Sequence, residues 1–178
     1  MKKGLGKRGQ FYLVAAIVLA AVIIGISAVS NYAKREKNTG LYDLREEIRI
    51  ESEKTIDYGT KSNFNRAQMT SLYSNFVNNY TSYEGSTGKN LYFLYGDRSN
   101  ISLSGIQRED ITATIVSGGS TLVVTNDAGT FSGSMDPALN SITLYLDEDT
   151  YDFELSPAEN FYFVITQEII GGDYVVQG

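Results

Sequence analysis

The residues with the chemistry to bind or transform something are almost all carboxylates. The densest group is Asp147, Glu148, Asp149 and Asp152. Hard oxygen ligands gathered on one loop are what Ca²⁺ takes, and Asp147, Asp149 and Asp152 form the candidate set. Their spacing departs from an EF-hand loop and no glycine sits at the centre, so a solvated acidic hairpin competes with a metal site. A pair of carboxylates can also run glycoside hydrolysis, but nothing in the spacing singles out one pair. His and Cys are both absent. That removes the commonest general base, the commonest metal ligand, a thiol nucleophile and every disulfide. No G-x-x-x-x-G-K-[ST] and no G-x-G-x-x-G stands at a strand–helix turn. The chain therefore reads as non-enzymatic, with no cofactor.

Two further positions carry modification chemistry. Asn79-Tyr80-Thr81 and Asn100-Ile101-Ser102 are N-glycosylation acceptors if this part of the chain lies outside the cell.

The third chemical feature is the junction Lys7-Arg8-Gly9-Gln10, which opens onto Phe11–Val29, nineteen residues without a charge. As a helix that run is roughly 28 Å long, about one hydrocarbon thickness. A helix apolar all round must sit in lipid or in the apolar centre of an assembly. Three readings compete. A secretory signal that is removed would have a shorter apolar region and an A-x-A-like site, which only Ala28-Val29-Ser30 approximates. The second reading is a plain single-pass anchor.

The third is a resemblance. A basic pair and a Gly directly before an unbroken apolar helix, here Lys7-Arg8-Gly9-Gln10-Phe11, resembles the class III signal of archaeal pilins and archaellins. The resemblance covers about the first thirty residues. It implies a prepilin peptidase as partner, cleavage between Gly9 and Gln10, and an apolar helix kept on the mature protein. Bacterial type IV pilins carry a Glu at the fifth mature position, where this chain has Val14, so the likeness is to the archaeal group.

Charge sets the expected orientation. Lys2, Lys3, Lys7 and Arg8 precede the apolar run with no acid among them, which predicts a cytoplasmic N-terminus. Of 15 basic and 21 acidic residues, residues 1–37 hold 7 and 1, leaving 8 and 20 for the remainder, a net charge of −12. Such a portion suits the side away from an anionic leaflet. It also lacks the basic stripe that nucleic-acid binding needs. The expected localisation is a single-pass membrane protein with its bulk extracellular, or an extracellular filament.

The elements that must position these features follow from periodicity. Residues 1–9 read as a basic leader and 10–30 as a transmembrane or filament-core helix. Residues 31–58 read as a helical stalk, weak at Asn38-Thr39-Gly40. Leu41, Leu44, Ile48, Thr55 and Ile56 form a narrow stripe on that stalk, among charges able to pair at i, i+3 and i, i+4. Residues 60–178 read as an extracytoplasmic domain. It comprises a helix over 62–81, striped by Phe64, Met69, Leu72, Tyr73, Phe76, Val77 and Tyr80, and antiparallel β-structure over 90–177. Seven short alternating strands are expected, at 91–95, 111–115, 121–125, 142–146, 151–155, 161–165 and 174–176. The resulting class is α+β, a transmembrane helix and stalk followed by an antiparallel sheet, sandwich or open barrel.

Two functions fit that plan. One is a pilin-like structural subunit of an archaeal surface filament. Its apolar helices would pack on identical or related copies through Ala16, Ala20 and Gly25, which approximate small-xxx-small spacing. The other is a monomeric, membrane-tethered binding domain, in which the same residues face lipid.

Overall fold

The computed structural model describes the backbone of residues 7–84, 88–125, 128–169 and 172–178. Side chains are described for these except at 7–17, 21, 25–39, 84, 125, 168–169, 172–174 and 176. The chain divides into two units, Met1–Gly40 and Leu41–Gly178. Helix α1, Lys7–Lys61, contributes residues to both.

In the first unit, Val18, Leu19, Val22, Ile23 and Ile24 are 52–68% exposed. Among the described residues, no helix is long and apolar enough to cross a membrane. The expected transmembrane helix over 10–30, the α+β class built on it and the single-pass localisation drawn from it are corrected accordingly. The stalk is not a separate element either. The backbone stays helical through Asn38-Thr39-Gly40, because a lone glycine costs a helix only about 1 kcal/mol, too little to end it.

The second unit is mostly antiparallel β-structure. Nine strands alternate through it: β1 (Asn90–Asp97), β2 (Asn100–Gln107), β3 (Thr112–Ser117), β4 (Ser120–Thr125), β5 (Gly129–Met135), β6 (Ser141–Leu146), β7 (Asp149–Glu154), β8 (Asn160–Ile169) and β9 (Gly172–Gln177). They form a five-stranded sheet, β5-β2-β1-β8-β9, and a four-stranded sheet, β4-β3-β6-β7. All seven expected strands are present. β2 and β5 were not expected, because NISLSGIQ and GTFSGSM are rich in Ser and Gly, which have low strand propensity. Pairing overrides propensity here: β2 lies between β1 and β5 in register. A Cβ on Gly105 would stand 1.9 Å from the Leu91 carbonyl oxygen, so the glycine is what lets β2 approach β1.

The two faces of the larger sheet bury separate cores. One face, with Tyr92, Leu94, Leu103 and Val164, packs on Ala113, Ile115, Ile142 and Leu144 of the smaller sheet. The other, with Leu91, Phe93, Tyr95, Phe163 and Ile165, is covered by Leu41, Leu44 and Ile48 of α1 and by Met69, Tyr73 and Val77 of α2 (Arg66–Glu84). Residues 91–95 of β1 are consequently all buried, the signature of a strand covered on both sides. Tyr95, Phe161, Phe93, Phe76 and Tyr73 form a continuous aromatic group beneath the helices.

Local chemistry sets the ends of the helices. The amide of Phe64 donates to the Gly59 carbonyl and that of Asn63 to Thr60, with Asn63 at φ 52°. This is a Schellman stop with Asn in the left-handed position, and Tyr58 packs edge-on against Phe64 beside it. Asn65 then caps α2. Its Oδ1 accepts from the Gln68 amide at 3.0 Å while its own amide donates to Gln68 Oε1 at 2.9 Å, a reciprocal capping box. The helix therefore starts after Asn65 rather than at 62.

The connections at 117–120 and 146–149 are two-residue hairpin loops. Ser117 pairs with Ser120 around Gly118, and Leu146 with Asp149 around Asp147. Gly118 at φ 57° and Asp147 at φ 50° take the left-handed conformation that such loops demand. Gly172 and Asp173 belong to β9; residues 170 and 171 lie outside the described residues.

Candidate functional site

The sequence-derived site residues fall in three places. Gly9 and Gln10 occupy the first turn of α1, and their side chains, like those of Ala16 and Gly25, lie outside the described residues. Ala20 is exposed, in line with the exposed Val18, Leu19 and Ile23. The two glycosylation candidates differ. Asn79 is exposed on α2. Asn100 is half-buried at the start of β2, where its Nδ2 donates to Asp136 Oδ1 at 3.1 Å.

The acidic trio does not come together. Asp152 lies on β7 and accepts from the hydroxyl of its cross-strand partner Thr143 at 2.6 Å. Asp147 and Asp149 flank Glu148 at the tip of the β6–β7 hairpin, all three exposed. No group of three or more acidic side chains able to hold a metal ion exists among the described residues. Strand alternation is the reason for the split. Asp152 is three residues beyond Asp149 and points away on an exposed sheet face, whereas the hairpin tip reaches over the end of the sandwich.

There Asp147 and Asp149 line a cavity of about 500 Å³. β1 supplies Asn90 and Tyr92, β8 supplies Thr166 and Gln167, and the β2–β3 connection supplies Arg108 and Glu109. Asn90 ties the walls together: its Oδ1 accepts from the Arg108 amide at 2.8 Å and its Nδ2 donates to the Thr166 hydroxyl at 3.0 Å. Tyr92 is fully buried and its ring packs 5.5 Å from that of Phe131. Among the described residues, neither the Tyr92 hydroxyl nor Gln167 Oε1 has a hydrogen-bond partner. Burial, and then the carboxylates of Asp147 and Glu109 together with Tyr151, push the Tyr92 hydroxyl well above the ordinary tyrosine range, so it stays a neutral hydroxyl able to donate and to accept. Composition could have pointed to the acidic hairpin but not to Tyr92 or Gln167, which read as ordinary members of apolar strands.

A second polar cluster sits at the opposite end of β1. The Arg66 guanidinium forks onto the Asp97 carboxylate, donating from Nε to Oδ2 at 2.9 Å. Burial would raise the Asp97 carboxyl. Arg66 and the amides of Ser99 and Asn100 outweigh it and hold the group below its usual range. Nearby, burial and then Asp97 push the half-buried Glu159 carboxyl up, against the pull of Arg66.

No protein-family model, no characterised protein and no solved structure matches this chain.

Proposed function

We propose that this protein is a structural subunit of a cell-surface filament, assembled by packing the first part of α1 against the same helix in identical or related copies. The observation that carries this is the exposure of Val18, Leu19, Val22, Ile23 and Ile24 within a run of nineteen uncharged residues. Apolar surface of that density demands a partner, and no described residue of its own unit covers it. The likeness of Lys7-Arg8-Gly9-Gln10-Phe11 to a class III signal supports the same reading and adds a maturation step. A prepilin peptidase cuts between Gly9 and Gln10, leaving the apolar helix on the mature chain. The lack of His and Cys favours a structural role over a catalytic one.

The test is assembly of the purified full chain as detergent is withdrawn, followed by electron microscopy. Filaments are expected from the unaltered chain and from Ile23→Leu, which keeps side-chain volume. Ala20→Leu and Gly25→Leu should fail, because a packed helical core is read by shape. A monodisperse monomer in detergent-free buffer sinks the proposal. The intact mass of protein from its native source tests processing: the mature chain should begin at Gln10, and Gly9→Val should leave the precursor uncut.

A further inference from the structure

The cavity at the hairpin end of the sandwich has no part in helix packing, and its chemistry is specific. Two polar atoms that ought to be satisfied are not. The Tyr92 hydroxyl belongs to a fully buried side chain, and Gln167 is 8% exposed with an unpartnered Oε1. An orphaned buried polar group costs about 1–3 kcal/mol, and both residues line the same space. That space, about 500 Å³, is within the range of small-molecule sites. Its electrostatic sign is set by Asp147, Glu148, Asp149 and Glu109 against Arg108, a clear negative excess. A carboxylate or phosphate ligand would be repelled. Gln167 Oε1 can only accept, so the ligand must donate. Inorganic cations are a poor match, since no three described carboxylates converge on one point and hard cations want six or more oxygens.

We propose that this cavity is a binding site for a compact organic cation bearing N–H donors, of the alkylammonium class. Its ammonium would lie among the hairpin carboxylates, with N–H groups reaching Gln167 Oε1 and the Tyr92 hydroxyl oxygen. Asn90 would fix the walls in place through its two bonds to Arg108 and Thr166. The chemistry is the same whether the amine is a free molecule or the end of a lysine side chain.

Calorimetric titration of the full chain in non-ionic detergent tests this with four probes: 1,4-diaminobutane, Nα-acetyl-lysine methylamide, 1,4-butanediol and CaCl₂. The diamine should bind saturably, and the diol and CaCl₂ should not. Binding of the capped lysine as tightly as the diamine supports a side-chain source; binding of the diamine alone supports a free amine. Tyr92→Phe and Asp147→Asn should each weaken diamine binding about tenfold, the effect of a lost charge-assisted contact. Tyr92→Phe removes an unsatisfied hydroxyl and should melt no lower than the parent, which separates loss of the site from loss of the fold. Equal binding of the diol, tighter binding of Ca²⁺, unaltered affinity in both variants, or no diamine binding at all overturns the proposal.

Discussion

In the first unit, Val18, Leu19, Val22, Ile23 and Ile24 of α1 are 52–68% exposed; in the second, Leu41, Leu44 and Ile48 of the same helix are 0–5% exposed. The difference lies in the pattern around them. From residue 41 the apolar side chains form a single stripe, and the other faces carry Arg49 paired with Glu46 and Glu53, and Lys54 paired with Glu51. A narrow stripe can be covered completely by one sheet face, and β1 with β8 provides it. In the first unit the apolar residues run all the way round, so no single intramolecular surface could cover them. One stretch therefore stabilises the fold; the other is the one that the proposed filament reading packs against further copies.

The largest expected effect breaks that contrast directly. Ile23→Glu should abolish detergent-free assembly outright while leaving the melting temperature of the β-structure unchanged. Ile48→Ala should do the reverse: a fully buried side chain is truncated, costing about 2–5 kcal/mol in chemical denaturation, with assembly retained by the fraction that stays folded. If Ile23→Glu lowers stability as much as Ile48→Ala, the two stretches are not functionally distinct.

The contrast sharpens within the second unit. Gly105→Ala places a methyl group against the Leu91 carbonyl and should cost about 1–3 kcal/mol. Gly59→Ala should cost less, because what it meets is the flexible end of the Met69 side chain. Denaturant midpoints in the opposite order would show that the β1–β2 pair yields more readily than the helix crossing.

Tyr73→Phe should raise stability by about 1 kcal/mol, measured as a higher denaturant midpoint. Tyr73 of α2 is fully buried and its hydroxyl has no partner among the described residues, so the hydroxyl is a desolvated group with nothing in return. A drop would reveal a partner, such as an enclosed water.

The smallest effect is the pH dependence at Asp97. Its folded-state carboxyl lies below the usual range, so its stabilising contribution is present above the unfolded value of about 3.9 and is lost as pH falls through the lower folded value. Asp97→Asn should therefore flatten the acid limb of a melting-temperature profile below about pH 4. Glu159 acts oppositely: its carboxyl is raised, so it opposes folding slightly once pH exceeds its unfolded value. An unchanged acid limb in Asp97→Asn would assign the pH dependence to other carboxylates.

Much of this was legible in one dimension. The seven alternating strands, the two-residue loops at Gly118 and Asp147, the stripe of α2 and the absence of His and Cys are properties of local pattern, and period and turn chemistry are local physics. The reciprocal Asn65–Gln68 capping box is equally local, yet the reading of a helix from residue 62 passed over it. What tertiary structure alone decided depends on residues distant in sequence. β2 and β5 are strands because β1 and the edge pairing hold them, against their own Ser and Gly content. The weak point at Asn38-Thr39-Gly40 did not interrupt α1, since a single glycine is a weak stop. Asp152 was separated from Asp147 and Asp149 by strand alternation, and the latter two were brought instead to Tyr92 and Gln167, 55 and 20 residues from Asp147 in sequence. A site made of side chains from β1, β6–β7 and β8 has no linear signature, because its members become neighbours only when the two sheets close over a common core.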